Sequence, residues 1–102
     1  MSKETTKDVT SWYVYLIRTS SNTLYCGVTT DIERRFAEHQ YSKKGAKYLK
    51  GKGPLTLAWS QKVVNKRDAM VFEYKIKKTL TKARKERLIK MNTDLYLLFP
   101  QN

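Results

Sequence analysis

Two runs of strand-favouring residues, Trp12 to Arg18 and Thr23 to Val28, flank Ser20-Ser21-Asn22, a tripeptide of turn-forming side chains. The pattern predicts a β-hairpin. Alternation along a strand puts Tyr13, Tyr15 and Ile17 on one face and Trp12, Val14 and Leu16 on the other. The length of the turn then decides the register. A three-residue loop with Asn22 left-handed opposes Thr19 to Thr23, Ile17 to Tyr25, Tyr15 to Gly27 and Tyr13 to Thr29, which brings Tyr15 and Tyr25 to one face. A two-residue loop would separate them. Gly27, opposite Tyr15, leaves open the space that a side chain would fill.

Beyond the hairpin the period changes. Thr30-Asp31-Ile32-Glu33 has the spacing of a capping box and predicts a helix starting at Asp31. At about 100° per residue, Ile32, Arg35, Phe36 and His39 fall within one arc, while Arg34 and Glu38 point elsewhere. Tyr41 to Pro54 has no steady period and reads as a loop with a short helical turn around Ala46 to Leu49. Leu55 to Val64 alternates as a third strand, with Leu55, Leu57 and Trp59 on one side. Asn65 can cap a second helix, with Asp68 near its positive end. In that helix Ala69, Phe72, Ile76 and Leu80 form a stripe that includes Glu73, and Lys75 and Lys78 point away from it and extend the basic surface. A third helix is predicted after Thr81, from Lys82 to about Met91, ended by Asn92 and Asp94. Leu95 to Pro100 is an apolar stretch that either closes the core or supplies a dimer contact. The fold class is α+β, a three-stranded antiparallel sheet flanked by about three helices. Residues 1–10 are expected to be a flexible tail, 11–91 the domain and 92–102 a C-terminal apolar tail.

Composition narrows the function. A chain of 102 residues with 40% hydrophobic content suits one compact domain. Cys26 is the only cysteine, which precludes an intramolecular disulfide and, with a single histidine, a zinc site; a reducing, cytoplasmic setting follows. Met1 to Thr10 has no apolar run that would mark a signal peptide, and no segment approaches the length of a membrane span. The net charge of +12 is unevenly spread. Residues 1–40 hold five basic and five acidic side chains, whereas residues 41–90 hold sixteen basic and three acidic. Such segregation predicts a polyanion partner, DNA or RNA, because phosphate binding rewards clustered Lys and Arg. Lys43, Lys44, Lys47, Lys50 and Lys52 can drape along a phosphate backbone, with Tyr48 either packed on the core or stacked on a base.

Glu73 is the residue out of place. A carboxylate on an apolar stripe must be protonated, ion-paired or bound to a cation, and a salt bridge to Arg35 or a capping interaction would account for it structurally. Each tyrosine alone is as readily a sheet-face aromatic as a catalyst. Together, Tyr13-Val14-Tyr15, Tyr25-Cys26-Gly27, Arg35, His39, Gly45-Ala46-Lys47-Tyr48, Gly51-Lys52-Gly53-Pro54 and Glu73 resemble the GIY-YIG nuclease domain, most closely its small stand-alone bacterial members. Tyr13 stands where the first glycine of that motif belongs, and Cys26 replaces an aliphatic residue.

The resemblance implies a DNA endonuclease, with structured or damaged DNA as substrate and Mg²⁺, or Mn²⁺ in its place, held by Glu73. Phosphodiester hydrolysis needs an activated water, neutralisation of charge at phosphorus and help for the leaving alkoxide. Tyr25 could take or relay the proton, Arg35 would clamp the phosphoryl oxygens, and Tyr15 would bond the attacking water or Tyr25. His39 is either a secondary proton relay or substrate contact, or a core-edge histidine bonded to a backbone carbonyl. A bacterial setting would bring association with the nucleoid. Two other classes fit the composition: a non-catalytic DNA- or RNA-binding module, and an interaction module whose C-terminal tail docks on a larger repair protein or on a second copy of the chain.

Overall fold

The computed structural model describes residues 10–100, so all but Thr10 of the expected N-terminal tail lies outside the described residues, as do residues 101–102. Strand β1 (Trp12–Arg18) runs between β2 (Leu24–Thr29) and β3 (Thr56–Val63), antiparallel to both. Helix α1 (Ile32–Tyr41), a 3₁₀ turn (Lys47–Leu49) and helices α2 (Lys66–Thr79), α3 (Lys82–Met91) and α4 (Leu95–Leu98) complete the chain. The hairpin closes as its turn chemistry requires. Asn22 adopts φ 68°, the Thr19 amide donates to the Thr23 carbonyl at 2.9 Å, and Tyr15 opposes Gly27 while Ile17 opposes Tyr25.

The sheet is the middle of three layers. On one face, Val14, Leu16, Cys26, Trp59 and Val63 meet Ala69, Phe72 and Ile76 of α2, Leu88 of α3 and Leu95 of α4. On the other, Tyr15 and Ile17 meet Leu49 and Leu55, with Ile32 and Phe36 of α1 against them. Of the seven largest fully buried side chains, only Ile17 belongs to the second face. Burying each such aliphatic or aromatic group contributes about 1.5–3 kcal/mol, so the α2 side holds most of the hydrophobic stabilisation. The α1 side has a smaller apolar cluster and also holds the buried polar His39. Cys26 belongs to the first face, where burial pushes its thiol up to about 12, so it packs as a small apolar residue.

Three expectations change. Leu55, Leu57 and Trp59 do not share a side: a register shift between Leu16 and Ile17 sets Trp59 opposite Leu16 but Leu57 opposite Ile17, leaving Ala58 as the extra residue of a bulge. Leu55 therefore joins the α1 side and Trp59 the α2 side. Helix α1 is capped by Asp31, whose carboxylate accepts the Arg34 amide at 3.1 Å, and not by Thr30. The Thr29 hydroxyl accepts the Asp31 amide, which moves the turn one residue along. Lys75 does not simply extend the basic surface, because its ammonium lies 5.6 Å from the centre of the Phe99 ring.

The remaining caps follow side-chain chemistry. Asn65 accepts the Asp68 amide at the start of α2, and Thr81 accepts the Arg84 amide at the start of α3. Asn92, at φ 50°, ends α3 in the left-handed region and takes the Trp59 indole N–H at 3.1 Å. The C-terminal stretch closes the core through fully buried Leu95, and the Tyr96 hydroxyl donates to Asp68 at 2.7 Å. Among the described residues, no helix is long and apolar enough to cross a membrane.

Candidate active site

The α1 face of the sheet gathers Tyr15, Tyr25, Arg35 and His39. Tyr15 comes from the central strand and Tyr25 from its neighbour, their ring centres 6.5 Å apart. His39 reaches them from the last turn of α1, its ring 5.9 Å from Tyr15 and 5.6 Å from Tyr25. The Tyr15 hydroxyl points at Gly27, where a β-carbon would stand only 2.5 Å from Cζ of the tyrosine. Glycine is thus required there by space.

His39 is only 7% exposed, and both its nitrogens are engaged. Nδ1 accepts the Ala46 amide at 3.0 Å, so the neutral ring carries its proton on Nε2, which donates to the Tyr15 hydroxyl at 2.8 Å. The expected backbone carbonyl partner is replaced by a backbone amide. Burial, helped by the charge of Arg35, lowers the His39 pKa and keeps the ring neutral. The Ala46 amide is delivered by a close turn at Gly45, where a β-carbon would lie 2.6 Å from the His39 α-carbon.

Arg35 is half-buried beside this pair. Its Nη1 donates to Glu38 at 2.8 Å and to the Lys44 carbonyl at 3.0 Å. Burial works against its charge, but Glu38 and Tyr15 outweigh it and the pKa is raised. Glu38 therefore does not point away from the site. It stands one helical turn beyond Arg35 and binds both Arg35 and the exposed Arg34, which holds the Glu38 carboxyl below its usual range. Burial raises the Tyr15 hydroxyl above the ordinary tyrosine value, with Tyr25 adding to the effect and Arg35 opposing it.

Glu73 approaches from α2, on the opposite layer. Its partner is Lys77, 3.3 Å from Oε2, and not Arg35. The Lys77 ammonium lies 5.8 Å from the Tyr25 ring centre, which joins the acid to the edge of β2 where Tyr25 stands. The loop lysines divide. Lys43, Lys44, Lys47 and Lys50 are exposed, while half-buried Lys52 sits 3.6 Å from the centre of the Tyr48 ring. Tyr48 neither joins the core nor stands free: it stacks on Tyr25 at 5.9 Å and 19° and stays 46% exposed. Lys77 and Glu38 escaped the periodicity argument. For Lys77 the usable signal was its position four residues after Glu73, the spacing of a helical acid–base pair.

A sandwiched three-stranded sheet with two tyrosines, an arginine and a histidine on one face defines a small nuclease-like α+β domain. Residues 11–87 match the GIY-YIG catalytic domain, and the chain belongs to that family. It is similar to small bacterial relatives: a UPF0213 protein of Vibrio parahaemolyticus, 60% identical over 80 residues covering 78% of this chain and 74% of that protein, and UPF0213 protein YhbQ of Escherichia coli, 57% identical over 81 residues covering 79% of each. The solution structure of a UPF0213 protein from Bacillus halodurans shares the fold, with a TM-score of 0.52 at 38% identity over 79% of this chain and 84% of that one.

Proposed function

We propose that the protein is a Mg²⁺-dependent DNA endonuclease, hydrolysing phosphodiester bonds in structured or damaged DNA during repair or recombination. The observation that carries this reading is the Tyr15 hydroxyl, held by His39 at 2.8 Å and seated over Gly27, with the Tyr25 ring centre 6.5 Å from that of Tyr15 and the charge of Arg35 acting on the hydroxyl. Because its Nδ1 lone pair is committed to Ala46, His39 acts by positioning and not as a proton acceptor. The Tyr15 oxygen accepts from His39 and keeps its own hydrogen for a further partner, a water or the Tyr25 oxygen. Tyr25 is less buried than Tyr15 and is the phenol that a water can reach; it takes or relays the proton as that water attacks phosphorus. Arg35 presents its remaining N–H groups to the phosphoryl oxygens, a fork that lysine would not reproduce.

The donor set also suits the ion the family uses. Among the described residues no three His, Cys, Asp or Glu side chains gather, so Glu73 stands as a lone carboxylate, 18% exposed. That suits an ion that keeps most of its water and takes few protein ligands, Mg²⁺ or Mn²⁺. When bound there with the substrate phosphate, the ion supplies charge stabilisation for the departing oxygen. The exposed lysines of residues 43–50 would track the DNA backbone, and the free, buried Cys26 suits work in the cytoplasm.

Cleavage of labelled linear, nicked, single-stranded and branched DNA in Mg²⁺, Mn²⁺ or EDTA tests the reading. Metal-dependent products are expected from the wild type and should fall by about 100-fold or more in Arg35→Ala and Glu73→Ala, as for loss of one transition-state donor. Binding without cleavage under any metal would instead make the protein a nucleic-acid-binding module.

A further inference from the structure

Lys77 has no part in the chemistry given above, yet it touches two of its residues. Its ammonium is 3.3 Å from Glu73 Oε2 and 5.8 Å from the centre of the Tyr25 ring. The other lysines of this helix stretch are placed differently. Lys75 lies against Phe99, and exposed Lys78 has no carboxylate partner among the described residues. The Glu73–Lys77 pair is an i,i+4 pair with the lysine 47% exposed, a weak interaction in water. Lysine is also a point charge on a four-carbon stem, so the ammonium can leave Glu73 without any movement of α2.

A divalent cation and an ammonium cannot share one carboxylate at contact distance without strong repulsion. The ammonium must then go elsewhere, and the nearest site residue it faces is Tyr25. We propose that Lys77 is a substrate-binding residue of this site. It neutralises Glu73 in the metal-free protein and, once a divalent cation takes that carboxylate, turns to the substrate phosphate beside Tyr25. Metal and DNA binding are thereby coupled, because the ion frees a phosphate-binding charge that was otherwise occupied. The inference rests on the nuclease reading, in particular on Glu73 as the ligand of the ion.

The test reads binding and needs no turnover. Mn²⁺ affinity is measured by calorimetry, without DNA, for the wild type, Lys77→Met, Lys78→Met and Glu73→Gln. Lys77→Met is expected to bind Mn²⁺ about two- to fivefold more tightly than the wild type, the factor a weak exposed pair supplies, and more tightly than Lys78→Met, which loses the same charge. Affinity for a short DNA duplex is then followed against salt in Ca²⁺ and in EDTA. In Ca²⁺ the log–log slope for Lys77→Met should be smaller by about 0.9, one phosphate contact, while in EDTA it should equal the wild type. Equal Mn²⁺ affinities for the two lysine variants, or equal slopes in Ca²⁺, would overturn the inference and leave the nuclease reading intact. Wild-type Mn²⁺ affinity in Glu73→Gln would overturn the metal assignment and the inference with it.

Discussion

At the scale of single residues, His39 shows what spacing along the chain reveals and what it conceals. The helical period places His39 on the same arc as Arg35 and Phe36, and the structure puts it beside Tyr15. Its second partner, the Ala46 amide, comes from a loop that folds back at Gly45, and no periodicity encodes that return. The two bonds together fix a neutral ring, and this has a consequence for stability. An unfolded histidine titrates near 6.5, and burial holds the folded value below that. Between the two values the unfolded chain binds more protons, so the His39 contribution is complete above about pH 6.5 and is lost as pH falls through the folded value. Urea midpoints of the wild type should therefore decline from about pH 7.5 to about pH 5, with a shallower decline in His39→Gln. A midpoint that rose on acidification would mean that the folded site holds the imidazolium.

At the scale of elements, boundaries and caps were readable wherever one side chain dominates the local choice. Asn22 in the turn, Asn65 before α2 and Thr81 before α3 all act as their chemistry suggests. Where two candidates adjoin, as with Thr30 and Asp31, the strand end decides, because Thr29 already holds the Asp31 amide. The bulge in β3 was not readable, since an extra residue leaves its mark only on the pairing with β1. The C-terminal turn was ambiguous for a related reason: Leu95, Leu97 and Leu98 look alike in sequence, yet Leu95 is fully buried and Leu97 is 77% exposed. Leu95→Ala should cost about 2–5 kcal/mol in urea unfolding, and Leu97→Ala well under 1 kcal/mol. Equal, small losses would show that α4 is an appendage and not part of the core.

At the scale of the whole molecule, most of the core and the candidate site are divided between the faces of one sheet. The α2 side carries nearly all the large, fully buried side chains, and the α1 side carries the tyrosines, the histidine and the arginine. The charge follows a different partition. Basic residues begin in earnest after residue 41, in the loop that both supplies the Ala46 amide to His39 and offers its Lys44 carbonyl to Arg35. Backbone and side chains of this segment are thus placed differently: the backbone bonds to His39 and Arg35, and the lysine side chains are exposed, as the DNA contact proposed for them requires. Replacing Lys43, Lys44, Lys47 and Lys50 together by Gln should leave the fold unchanged, since their ammonium groups are exposed. Duplex DNA affinity should fall at every sequence tested, and the slope of log affinity against log salt should shrink by about 0.9 for each lysine that contacts a phosphate. Lys52 is left out of this set because its ammonium rests on the Tyr48 ring, which in turn stacks on Tyr25, so its loss would disturb the site as well as the charge. An unchanged slope in the fourfold variant would move the DNA path away from this loop and toward the cations of α2 and α3.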